Sequence, residues 1–150
     1  MCMLGCDSYI HTAHTAEEKR AIEFVESMYE GDAEKFVDMM LDSIIDNAIK
    51  EEGIATKELY VYELDKLLDL YIDEFKSRYG KKWKYKISVI DSYTVESPEE
   101  LSEYEITEVF LKVEHSGKKF FFFKVNDSEE IKVQVTKKGN KWYVITWLRS

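Results

Sequence analysis

The feature that most constrains this chain is a change of hydrophobic period at Gly80. Before it, apolar residues recur every three or four positions; after it, they alternate with polar ones. The first pattern predicts amphipathic helices and the second predicts strands with one wet face. Helices that precede a sheet in this way must cover one of its faces. The order therefore predicts an α+β fold, N-terminal helices packed on a curved C-terminal antiparallel sheet.

Thr15-Ala16-Glu17-Glu18 is a capping box that opens a helix carrying Ala21, Ile22, Phe24, Val25, Met28 and Tyr29, with Gly31 as its stop. Asp32 can cap a second helix bearing Phe36, Val37, Met39 and Met40. A third stretch carries Ile44, Ile45, Ala48 and Ile49 and ends near Gly53; the spacing leaves open whether the two join around Asp42-Ser43. Thr56 caps the longest helix, which runs to Tyr79 with Leu64, Leu67, Leu68, Tyr71, Ile72 and Phe75 as its buried stripe.

Beyond Gly80, Trp83, Tyr85, Ile87 and Val89 alternate with Lys82, Lys84, Lys86 and Ser88. Ser97-Pro98-Glu99-Glu100 is a second capping box and predicts a short helix or turn. Val109, Leu111 and Val113 form the next alternating set. His115-Ser116-Gly117-Lys118 predicts a hairpin turn, with a return strand from Phe120 to Val125. Asn126-Asp127-Ser128-Glu129 predicts another turn before Ile131, Val133 and Val135, and Gly139-Asn140 predicts the last one, into Trp142 to Leu148. Connections this short make the strands antiparallel. The run Phe120 to Phe123 puts aromatics on both faces, so one pair needs cover from a partner, a sheet curl or a neighbouring strand, and a sheet closing on itself or a dimer would serve.

With 150 residues the chain fits one domain, taken as 15–150 behind a flexible segment 1–14. A net charge of −9 argues against nucleic-acid binding, which needs a basic footprint. The charge is uneven: residues 1–80 carry −11 and residues 81–150 carry +2. A solvated acidic helical face accounts for that, and a cationic partner is the sharper reading. Both cysteines, Cys2 and Cys6, fall in the first six residues, so the domain itself has neither a disulfide nor a cysteine nucleophile. No stretch approaches the roughly 20 apolar residues of a membrane span.

The Gly31-Asp32 break between two helices within Ala21 to Met40, and the closing Lys141-Trp142-Tyr143 after a Gly turn, give the chain its family likeness. It resembles the nuclear-transport-factor-2-like superfamily, whose helices lean on a strongly curved, cone-like sheet, over roughly residues 15–150. The resemblance implies either an isomerase or dehydratase acting on a small apolar substrate inside the cone, or a non-catalytic binding or dimerisation domain; some relatives of this kind are envelope lipoproteins. Met3-Leu4-Gly5-Cys6 resembles a bacterial lipobox and makes Cys6 the candidate lipidated residue, although the basic and apolar regions of such a signal are not in the sequence. Lipidation would hold the protein on the outer face of a bacterial membrane; without it the expectation is a cytoplasmic protein.

Candidate chemistry is sparse. Cys2, Cys6, His11 and His14 lack the long loop between ligand pairs of ordinary zinc modules, so no metal site is expected. The six glycines are scattered singly, so no phosphate loop and no cofactor are expected. His115, read on a turn, is expected at the surface rather than as a base. Glu108 falls on the wet side of its strand and Asp91 at a strand end, where catalytic roles are uncommon. A pocket between the long helix and the sheet is expected to be lined by Tyr71, Trp83, Tyr85 and Val109. The leading expectation is a non-catalytic binding domain for a small apolar ligand or a partner protein, with dimerisation through the open side of the sheet as a related outcome. The alternatives are the isomerase-type enzyme and an acidic immunity or inhibitor protein, which would show exposed acids around an aromatic anchor.

Overall fold

The computed structural model describes residues 14–119 and 123–149. Four helices come first: α1 (Ala16–Glu30), α2 (Ala33–Asp38), α3 (Asp42–Glu52) and α4 (Lys57–Tyr79). The strands β1 (Lys84–Val95), β2 (Ile106–Lys119), β3 (Phe123–Lys138) and β4 (Lys141–Arg149) follow in one antiparallel sheet of order β1-β2-β3-β4. This is the α+β layout that the change of period predicts.

The helix boundaries are set by short-range chemistry. Thr15 and Glu18 form the reciprocal capping box, at 3.2 Å and 3.0 Å. Asp32 and Thr56 each accept from the backbone three residues on. Gly31 closes α1 in the left-handed conformation (φ 73°). A Cβ there would lie 2.8 Å from Ile72 Cδ1, so α4 packs onto this corner. Asp42-Ser43 proves to be a start and not a join. The chain breaks at Met39–Leu41 because the backbone there is drawn onto the sheet: Val144 donates to the Met39 carbonyl at 2.8 Å and Leu41 donates back to Val144 at 2.9 Å.

The sheet's inner face and the helices share one core. Val109, Leu111, Val113, Ile131 and Val133 are completely buried, as are Phe24 and Val25 of α1. Phe24 stacks on Phe36 at 4.3 Å, and both meet Trp147 edge-on. Each buried side chain of this size contributes about 1.5–3 kcal/mol of transfer free energy. Bulges between Val89 and Asp91 and between Gln134 and Val135 interrupt the ladders, and such bulges bend a strand and strengthen its twist.

Four expectations are corrected. The chain does not reverse at His115-Ser116-Gly117-Lys118: β2 continues, with Gly117 paired to Val125 and Lys119 to Phe123. Gly117 lacks the positive φ that a two-residue hairpin requires; it is a glycine because a Cβ would fall 1.8 Å from the Tyr79 carbonyl oxygen. Asn126 to Glu129 is likewise strand, paired with Ser116 to Val113, and the Asp127 and Glu129 side chains accept from Tyr79 and Tyr29. Ser97 does not cap a helix. Its hydroxyl donates to the Tyr104 carbonyl instead, although the short helix or turn expected there is present as the 3-10 turn Glu99–Leu101. Leu67, placed in the buried stripe of α4, is 45% exposed, because that stripe is centred instead on Tyr60, Leu68, Phe75 and Tyr79.

Candidate functional site

The inward-facing cross-strand rows decide which polar groups enter the core. Tyr85, His115 and Asp127 form one row, and Ile87, Val113 and Glu129 the next. Val89, Leu111, Ile131 and Arg149 form the third. Three chemically active residues, His115, Glu129 and Arg149, are thereby aimed at the helices, where Tyr29 of α1 meets them.

Glu129 is the hub. Arg149 grips its carboxylate with Nε and Nη2 at 2.9–3.2 Å, and the Tyr29 hydroxyl donates to Oε1. His115 Nε2 lies 3.5 Å from the same oxygen and 3.2 Å from the Tyr29 hydroxyl. Because Tyr29 spends its one hydrogen on Glu129, it faces His115 as an acceptor, so Nε2 carries the imidazole proton. His115 Nδ1 is buried and has no hydrogen-bond partner among the described residues.

Aromatic rings close the cluster. Tyr79 stacks on the imidazole at 5.0 Å and 7°, and Phe75 at 5.0 Å and 21°. Tyr85 stacks on Tyr29 at 4.8 Å, while the Arg149 guanidinium lies over Tyr71 and Phe75. His115 is 3% exposed. The surface position expected for it is wrong, because β2 runs on past the supposed turn in the same register as Val109, Leu111 and Val113.

The electrostatics follow from these contacts. Burial pushes the Glu129 carboxyl up, but hydrogen bonds from His115, Tyr29 and Arg149 and the charge of Arg149 outweigh it and hold the group at about 2. Burial, reinforced by Glu129, pushes the Tyr29 phenol well above its ordinary value. At neutral pH the cluster is therefore an ionised carboxylate clamped by a guanidinium and a phenol that keeps its proton. It is a stabilising arrangement, and neither Glu129 nor Tyr29 is poised near neutrality for proton transfer.

Of the residues expected to line a pocket, Trp83 and Tyr85 do come together, 5.5 Å apart, next to Tyr29. Tyr71 lies beneath Arg149, and Val109 is fully buried in the core. Tyr85, His115 and Asp127 also line an open depression of about 760 Å³ over β1–β3, with Lys84, Lys86, Glu114 and Ser116 around them. Glu108 faces the outer side as expected but is largely covered, with Lys132 Nζ at 3.1 Å and Gln134 Nε2 at 3.3 Å. Asp91 sits at the β1 bulge, not a strand end, and accepts from the Ser92 amide. His14 lies 3.8 Å from Glu18, while Cys2, Cys6, His11 and Phe120 to Phe122 lie outside the described residues. Among the described residues no group of His, Cys, Asp and Glu is placed to hold a metal ion, and no helix is long and apolar enough to cross a membrane.

Sequence reasoning missed Tyr29, Glu129 and Arg149. Tyr29 read as core, and Glu129 read as turn. The available signal was parity: Glu129 alternates in step with Ile131 and Val133, and Arg149 in step with Trp147. No known family model matches the chain, and no curated protein matches it.

Proposed function

We propose that this chain is a non-catalytic binding domain that recognises a protein partner with its surface. The observation that carries the reading is the low exposure and full engagement of its most reactive cluster. His115 is almost fully buried under Tyr79 and Phe75, and the Glu129 carboxylate is already occupied by Arg149 and Tyr29. The inner face of the sheet is filled by Val109, Leu111, Val113, Ile131 and Val133, which favours a partner protein over a small apolar ligand inside the fold.

A second reading has one specific observation in its favour. A histidine beside a carboxylate, with its far nitrogen unpaired among the described residues, is the arrangement an acid–base enzyme of the isomerase type would use. Access separates the two. Diethyl pyrocarbonate added to the native protein at neutral pH should modify His14 readily and leave His115 unmodified until the protein unfolds, as read by peptide mass mapping. Rapid modification of His115 in the folded protein would sink the non-catalytic reading and favour the enzyme.

A further inference from the structure

We propose that the solvent face of α4 is the docking site for a basic amphipathic helix of a partner protein. The proposal rests on the surface-binding reading above and names the chemistry of the partner. A surface helix needs one apolar stripe to join its core, and α4 has that in Tyr60, Leu68, Phe75 and Tyr79. Four more apolar residues of α4 face solvent: Leu59, Tyr62, Leu67 and Leu70 are 42–65% exposed, and of these Leu59, Tyr62 and Leu70 lie on the side opposite the buried stripe. At 100° per residue Leu59 and Leu70 share one meridian, about 16 Å apart, with Tyr62 to one side and Leu67 to the other. Leu59, Tyr62 and Leu70, with Glu63 and Lys66 between them on the same face, stand at i, i+3 and i+11, a spacing by which one helix can anchor along another.

Charge selects the partner. The ridge is flanked by exposed Glu58, Asp65, Asp69 and Asp73. Beside Tyr62, between the α1–α2 corner and α4, runs a groove of about 610 Å³ lined by Glu30, Asp32, Glu34, Glu58 and Asp65 and by no Lys or Arg. Of the four basic residues of α4, Lys57 lies 3.8 Å from Asp38, Lys66 sits over the Tyr62 ring at 4.2 Å and Arg78 bonds Glu74 at 2.6 Å, while Lys76 is exposed in the last turn. Among the described residues these carboxylates are not grouped to hold a metal ion, so they form an extended acidic strip that suits a row of Lys and Arg. A second copy packed face to face would set acid against acid, and an anionic lipid surface would be repelled in the same way. A helix with leucines on one face and lysines along its flanks satisfies both the ridge and the strip.

The test uses the intact 150-residue protein and three synthetic probes of equal length: a leucine–lysine amphipathic helix, its leucine–glutamate counterpart and oligolysine. Calorimetry should show saturable binding of the leucine–lysine helix alone, weakened by salt, with amide shift changes confined to α4 and the acidic groove. The double variant Leu59→Ser/Leu70→Ser, at exposed positions, should keep its circular dichroism and melting temperature and bind about tenfold or more weakly. Equal binding of oligolysine, full binding by the double variant, or shifts mapping elsewhere would each overturn the proposal. A dimer in sedimentation equilibrium that Leu70→Ser disperses would also overturn it, by assigning the ridge to a second copy. If no probe binds while His115 stays shielded from diethyl pyrocarbonate, this partner class falls and the binding-domain reading stands; a reactive His115 removes that reading instead.

Discussion

At Glu129 burial and hydrogen bonding pull in opposite directions, and the net lowering of its pKa makes the fold sensitive to acid. The carboxyl titrates at about 2 in the folded protein against an ordinary value of 4.5. A depressed carboxylate pKa adds stability that is fully present above the unfolded value and is lost as pH falls through the folded one. The affected window is therefore about pH 4.5 down to about 2. Allowing for solvent screening of a half-buried pair, the contribution is on the order of 2 kcal/mol. Glu129→Gln should lower the urea midpoint at pH 7, and the gap to wild type should close steadily as the pH is taken from 5 to 2.5. A gap that stays constant over that range would mean that the Arg149 clamp and the Tyr29 hydrogen bond do not depress this carboxyl.

At the scale of elements, the junction between α4 and β2 shows why some of the fold was legible and some was not. Thr15, Asp32 and Thr56 announce their helices because a cap bonds a residue three positions away, so the whole motif lies in a four-residue window. Gly117 announces a turn by the same local logic, and there the logic fails. What selects glycine at that point is the Tyr79 carbonyl, from an element nearly forty residues upstream, and Gly80 makes the reciprocal approach to the Lys118 carbonyl, 2.3 Å from where its Cβ would be. Gly117→Ala must therefore push backbone away from backbone, at a cost of about 1–3 kcal/mol or more. The expected readout is a drop in melting temperature of several degrees for a chain of this length. An unchanged melting temperature would show that β2 and the end of α4 are not in contact.

For the molecule as a whole, the division into acidic helices and a near-neutral sheet was visible in the charge count, and so was the order of the two layers. The cluster inside it was half visible. The alternation Val109, Leu111, Val113, His115 carries the histidine inward in one register, and Ile131 with Val133 does the same for Glu129. Polar turn-forming residues at 115–118 and 126–129 hid that continuity, because nothing within a few residues shows that Tyr79 waits for Asp127 or that Tyr29, about a hundred positions away, waits for Glu129. The proposed reading hangs on this one register, because unbroken β2 and β3 strands are what carry His115 and Glu129 inward. Proton–proton nuclear Overhauser contacts across the β2–β3 ribbon measure it directly. Cross-strand contacts between His115 and Asp127 and between Gly117 and Val125 are the predicted result. Sequential turn contacts through Ser116 and Gly117, with none to Val125, would return His115 to a surface hairpin and contradict the account.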